Sequence, residues 1–171
     1  MEREPVILKS GRTVLIRPIS PADGRGLSAA YERLSAESKY RRFLAAKPHL
    51  STAETQYLVQ IDGRDHVALV ATPVDAPDDI LAVARFVRLD ENPAQAEFAI
   101  VVGDPFQQEG LGTALMEHLR VAAAARGITS FKATMLAENL AAHRLVRGFA
   151  ATPSAERHLG SVDEIEVDLS A

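Results

Sequence analysis

Between Ala94 and Ala125 the chain changes period, and a pair of glycines sits at the change. Ala94, Ala96, Phe98, Ile100 and Val102 fall on one side of an alternating run, as a strand requires. Leu111, Leu115, Leu119 and Ala122 then recur at helical spacing over 109–126, and Gly127 stands where a helix C′ residue belongs. The two patterns meet at Gly103-Asp104-Pro105-Phe106-Gln107-Gln108-Glu109-Gly110-Leu111-Gly112-Thr113. A strand that turns directly into a helix leaves the first helical amides unpaired and aligned with the dipole, which makes an anion site. Glycine in a helix costs about 1 kcal/mol relative to alanine, so two in one turn call for a reason. Either they admit close packing of helix on sheet, or they let a phosphate reach the backbone. No lysine follows the second glycine, and the spacing is too compact for a dinucleotide fingerprint.

The flanking pattern predicts a mixed α/β chain. Thr13 to Arg17 reads as a strand stopped by Pro18, and Ser20-Pro21 as a helix start. Helices are predicted over 21–34, 36–45 and 52–60, the third capped by Ser51 or Thr52 with Glu54. His66 to Ala71 reads as a buried strand and Thr72 to Asp79 as a loop. Leu81, Val83, Arg85, Val87 and Leu89 share one side of the next run, joined to the run at Ala94 by the turn formers Asp90 to Pro93. Ile128 to Leu136 alternates, Asn139 opens a helix to about Arg147, and Glu164 to Leu169 reads as the last strand. A length of 171 residues predicts a single domain over 1–171.

Composition narrows the function classes. The net charge of −4 and the lack of a long basic run argue against nucleic acid as a partner. With no cysteine there is no disulfide, thiolate metal site or cysteine nucleophile. His49, His118, His143 and His158 show no metal-ligand spacing, so no metal is expected. Met1 to Pro5 has no apolar leader core, and stretches such as Val121 to Ala125 fall short of the roughly 20 residues that span a bilayer. The expectation is a cytoplasmic protein that makes no use of a membrane. No Gly-x-Ser-x-Gly elbow is present.

Gln107, Gly110 and Gly112 match the Gln/Arg-x-x-Gly-x-Gly/Ala signature of the GNAT superfamily of N-acetyltransferases, which the chain resembles over nearly its whole length. Ile16 to Asp23, Arg33 to Phe43 and Leu136-Ala137-Glu138-Asn139 are similar to the bacterial protein-lysine acetyltransferase branch. The resemblance implies the acyl-CoA N-acyltransferase fold, a central, mostly antiparallel twisted sheet flanked by helices. It implies acetyl-CoA as cosubstrate and direct transfer in a ternary complex to an amine. A protein lysine is the expected acceptor. A small-molecule amine and a non-catalytic acyl-CoA-binding regulatory module are the alternatives. Oligomeric state is left at monomer or homodimer.

The resemblance also assigns residues. Amides of Gln107, Gln108, Glu109, Gly110, Leu111, Gly112 and Thr113 are expected to hold the pyrophosphate. Ile100, Val101 and Val102 would pair with the pantetheine arm, and an amide there would polarise the thioester carbonyl. Asn139 would contact the CoA arm, a role compatible with capping its helix. An amine must lose a proton to attack, so a base is needed. Ala96-Glu97-Phe98 matches the segment carrying the branch's proposed general base, which nominates Glu97; the alternative is a solvated glutamate or one paired with Arg85 or Arg88. Many relatives protonate the leaving thiolate with a tyrosine seven residues after the asparagine, where this chain has Val146. Gly148-Phe149 arrives about two residues earlier than the family's Gly-Phe. His66 is a second base or a structural histidine, and Tyr40, Arg41 and Arg42 line the acceptor entrance or a solvated helix face.

Overall fold

The alternating runs pair in a nearly sequential order, and the one parallel pairing creates the site. The computed structural model describes residues 4–149 and 154–169. Its strands are β1 (Glu4–Ile7), β2 (Thr13–Pro18), β3 (His66–Pro73), β4 (Ala82–Arg88), β5 (Gln95–Val102), β6 (Ser130–Leu136), β7 (Ala155–Leu159) and β8 (Val162–Asp168). They form one sheet in the order β1-β2-β3-β4-β5-β6-β8-β7. Every neighbouring pair is antiparallel except β5–β6, which is parallel because a helix crosses between them.

Helices α1 (Gly24–Glu32), α2 (Ala36–Phe43) and α3 (Thr52–Val59) cover one face. Leu27 and Val59 pack there on Ala68, Val70 and Val83. Helices α4 (Leu111–Ala124) and α5 (Leu140–Phe149) cover the other. There Leu111, Leu115 and Leu119 join Phe86, Phe98 and Phe131 in the larger core. Phe131 anchors that layer, with ring centroids 5.8 Å from Phe86 and 5.3 Å from Phe98. The helix starts follow local chemistry. Ser35 Oγ accepts from Ser38 N at 3.1 Å. Ser51 and Glu54 cap α3 reciprocally, at 3.2 and 2.8 Å.

Several expectations need correction. The first predicted helix is a 3-10 turn at Pro21–Asp23 followed by α1. The loop at Thr72 begins two residues later, because Thr72 and Pro73 still pair with Leu15 and Val14. The run at Leu81 is not one-sided: Ala84 and Phe86 join the α4 side and Val83 the α1 side, since β4 lies centrally with helices on both faces. Helix α5 runs through Gly148 and Phe149 instead of stopping near Arg147. Edge strands β1 and β7 carry no alternation to read; all five residues of β7 are exposed. The reading of Met1 to Pro5 falls partly outside the described residues. Among the described residues no helix is long and apolar enough to cross a membrane.

Candidate acyl-transfer site

The parallel junction is short. Strands β5 and β6 pair from Gln95 opposite Ser130 to Glu97 opposite Lys132, although β5 continues to Val102 and β6 to Leu136. Beyond Glu97 the strands part, and a cleft of about 250 Å³ lies between them. Phe98, Ala99 and Ile100 line one wall, Ala133, Thr134 and Met135 the other, and Asn139 just before α5 joins Ala142 and Val146 of that helix. Gly103 N donates to Leu81 O at 2.8 Å, which fixes the alternation along β5. The amides and carbonyls of Phe98, Ile100 and Val102 therefore turn away from β4 and toward the gap. Val101, the middle member of the predicted trio, instead directs its backbone to β4 and its side chain to the α1–α3 core.

Past Val102 the chain makes a 3-10 turn at Asp104–Phe106 and enters α4 through Gln107, Gln108, Glu109 and Gly110. Gln108 has φ +64° and Gly110 φ +88°, two left-handed residues within three positions that redirect the backbone. The first helical bond runs from Ala114 N to Gly110 O at 3.1 Å, so the amides of Leu111, Gly112 and Thr113 have no place in the helical ladder. A Cβ on Gly110 would meet nothing within 4 Å, and one on Gly112 would stand 3.5 Å from Leu145, an ordinary contact. Packing demands neither glycine. At Gly110 the positive φ calls for glycine on its own, and at Gly112 neither φ nor packing does.

The loop is held from outside. Lys9 N donates to Glu109 O at 3.0 Å and Ser10 N to Glu109 Oε2 at 2.9 Å, so the turn between β1 and β2 grips it. Those bonds to Ser10 lower the pKa of the Glu109 carboxyl. Gln107 Nε2 donates to Val102 O at 3.2 Å, tying loop to strand end. Asn139 is buried and its Oδ1 accepts from Ala142 N at 3.2 Å, the capping role, while the residue also faces the cleft.

Glu97 is exposed on the α1–α3 side, where the cleft is lined by Arg41 and Arg42 as well. Neither Arg85 nor Arg88 pairs with it: Arg88 Nε binds Asp65 at 2.7 Å, and among the described residues no cation lies within ion-pair distance of Glu97. Burial lowers the pKa of Arg42, against the opposing field of Glu97. Arg41 pairs with Glu37, and Tyr40 is 44% exposed and no part of the lining. Val146 is 2% exposed and lines the cleft. Of the tyrosines, Tyr31 donates to Lys47 O at 2.6 Å and Tyr57 packs its ring on His66, so neither takes the place of a tyrosine at 146.

Three features escaped the sequence reading. Arg85 is buried, and its Nη1 donates to Leu58 O at 3.2 Å and to His66 Nε2 at 3.1 Å. Among the described residues it has no carboxylate at ion-pair distance, and burial followed by the charge of Arg42 brings its pKa down to about 10. His66, an acceptor to that guanidinium, is a structural histidine whose pKa burial and Arg85 lower. An arginine at an inward position of an apolar run was the available signal. Asp104 accepts from Ser35 N at 2.9 Å and Ser38 Oγ at 2.7 Å, locking α2 to the end of β5. Gly26 is dictated by Asp78 O, which would lie 2.5 Å from a Cβ there.

Comparison with known proteins agrees with this geometry. The family model described as "Acetyltransferase (GNAT) family" matches residues 29–149. The chain is 36% identical over 143 residues to Acetyltransferase Pat of Mycolicibacterium smegmatis, which covers 83% of this chain and 42% of that protein. It thus spans less than half the length of that relative. The crystal structure of the GNAT domain of S. lividans PAT superposes with a TM-score of 0.87 at 32% identity, covering 97% of this chain and 96% of that one. The protein yncA from Salmonella typhimurium, solved with its cofactor acetyl-CoA, shares the fold at a TM-score of 0.68 and 18% identity, over 92% of this chain and 94% of its own. A strand-to-helix turn with free amides, a parted β5–β6 junction and a family match over 29–149 meet in one molecule: the chain belongs to the GNAT family of acetyltransferases.

Proposed function

We propose that this domain, spanning 1–171, transfers an acetyl group from acetyl-CoA to an amine, and that the amine is a protein lysine. The observation that carries the reading is the parting of β5 and β6, which leaves the outward edge of β5, Asn139 and Glu97 around one cleft, with the amide-rich loop adjoining it where Gly112 meets Leu145 and Ile100. Acetyl-CoA supplies the activated acetyl group as a thioester; the rest of the chemistry is asked of the chain. Gln107 to Thr113 hold the pyrophosphate on backbone amides and the helix dipole. Ile100 and Val102 pair with the pantetheine arm, and an amide of this strand end polarises the carbonyl under attack. Asn139, with Oδ1 committed to its cap, has Nδ2 to donate to the arm.

Glu97 takes the proton from the acceptor amine, directly or through one water, as the new C–N bond forms and the C–S bond breaks. A free lysine has a pKa of about 10.4, so this removal is needed near neutrality. The sulfur departs as thiolate, which a thiol pKa of about 8.5 permits, and Val146 is then no obstacle. Similarity to Pat and to the protein-lysine branch favours lysine over a small-molecule amine. The action is set in the cytoplasm, by a monomer or homodimer.

The test is thiol release from acetyl-CoA with candidate proteins and with polyamines, comparing the wild type with Glu97→Gln. Release with a protein acceptor and its loss in the variant support the reading. Faster release with polyamines would move the acceptor to small amines. Tight CoA binding with no release from any acceptor would leave a non-catalytic acyl-CoA-binding module.

A further inference from the structure

Away from the gap, on the α5 side of the sheet, the fold collects ligand types that the histidine spacings do not bring together. Asp163 on β8 lies opposite His158 on β7, and Glu156 is two residue pairs further along the same hairpin, on the same face of β7 as His158. From above, α5 lowers His143 onto them. One ligand atom each of His143, Glu156 and Asp163 lies within 4.8 Å of the others. The side chains of His143 and Asp163 are only 12% and 10% exposed.

The decisive atom is His143 Nε2. It is fully buried and has no hydrogen-bond partner, although Asp163 Oδ2 is 3.3 Å away, because the approach is too oblique for a hydrogen bond. A buried ring nitrogen without a partner is costly. The same separation is what a tetrahedral ion imposes: metal–ligand distances of about 2.0–2.2 Å place two ligand atoms roughly 3.3–3.5 Å apart. The other oxygen of Asp163 is held by His158 Nδ1, the kind of outer contact that fixes a ligating carboxylate. Charge fits as well, since two carboxylates balance one divalent cation. Arg147, 3.7 Å from Glu156, lies at the rim and is 60% exposed, so it can yield the carboxylate.

We infer that His143, Glu156 and Asp163 bind one divalent cation of the zinc class, with solvent in the fourth position and His158 orienting Asp163. Imidazole with carboxylate selects zinc over the all-oxygen preference of magnesium. The ion staples α5 to the β7–β8 hairpin, one helical turn from Asn139 in the cofactor cleft. This site takes no part in acyl transfer, and the inference stands or falls independently of the proposed function.

The experiment uses the whole chain stripped with a chelator and titrated with zinc sulfate, read by calorimetry and by thermal unfolding. One equivalent should bind, and a hundredfold excess over Kd should raise the unfolding midpoint by about 5–10 °C, with no response to magnesium. His143→Ala should abolish the response. Glu156→Gln, at a side chain 40% exposed, keeps the fold intact and should weaken binding, as His158→Gln should by about 10- to 100-fold. Cobalt in place of zinc should give the visible absorption of a four-coordinate ion. No zinc binding by the wild type, or binding unchanged in both His143→Ala and Glu156→Gln, would overturn the inference and leave an ion-pair cluster.

Discussion

On the α4–α5 side of the gap the lining is mostly backbone and apolar side chain, the outward edge of β5, Ala142, Leu145 and Val146, with the amides of Leu111 to Thr113 adjoining it. On the α1–α3 side it is charged side chain, with Glu97 and Arg42 at the cleft and, behind them, a buried Arg85 bonded to a half-buried His66. In the proposed function the first side recognises a ligand by where its atoms are, through donors that any residue supplies. It needs glycine only where the backbone turns left-handed, as at Gly110. The second side works by residue identity at a cost in hydration, which the field of Glu97 offsets only in part for Arg42 and which no carboxylate at ion-pair distance among the described residues offsets for Arg85. A cosubstrate shared across a family suits the first design, and an acceptor particular to one enzyme suits the second.

The sharpest way to break this comparison is to damage one side and measure the other. Glu97→Gln should lower kcat by about 10²- to 10⁴-fold while the Kd for acetyl-CoA stays within about twofold. Gly112→Arg should do the reverse, raising that Kd on the order of 100-fold by driving a side chain into the anion site, a loss of about 3 kcal/mol. Gly112→Ala is the control. Its Cβ would sit 3.5 Å from Leu145, so the protein tolerates it and affinity should change only a few-fold. Calorimetric titration of acetyl-CoA alongside initial rates separates the outcomes. If Glu97→Gln weakens cofactor binding as much as it slows transfer, the two sides are not independent.

The same contrast explains what was legible in the sequence. The loop at Gln107 to Gly112 announces itself because glycine, a period change and a turn coincide within a few residues. Alternation puts Glu97 on the face opposite Phe98 and Ile100, but its nomination as a base came from the resemblance of Ala96-Glu97-Phe98, since the strand says nothing of what faces it. Arg42 reaches the same cleft only because Ser35 and Ser38 bind Asp104 and so hang α2 on the end of β5, a contact 66 residues apart between Ser38 and Asp104. No local pattern encodes that distance. Edge strands were lost for a simpler reason: β7, exposed at every position, has no buried side to give it a period.

Smaller effects probe the buried charge. Arg85→Met exchanges a desolvated guanidinium for an apolar chain of similar reach but strands Leu58 O and His66 Nε2. These terms oppose each other, so urea unfolding should place the variant within about 2 kcal/mol of the wild type. A loss of about 3–5 kcal/mol would mean that a carboxylate partner had been broken, and would undo the contrast between the two sides.

The mildest test is of pH. Burial, then Arg85, hold the His66 pKa below its ordinary 6.5. Above 6.5 both folded and unfolded forms are neutral at this residue, and it contributes no pH dependence. As the pH falls below 6.5 the unfolded chain takes up a proton that the folded chain refuses, because protonated Nε2 would face the Arg85 guanidinium it now accepts from. Stability should therefore decline below 6.5 and level off beneath the folded pKa. His66→Gln keeps an acceptor for Arg85 but cannot titrate, so the difference between its unfolding free energy and the wild type's should shift in the variant's favour between pH 7 and pH 5. A parallel pair of curves over that range would mean that His66 is free to protonate, and that the charged side of the gap is more open to water than its burial indicates.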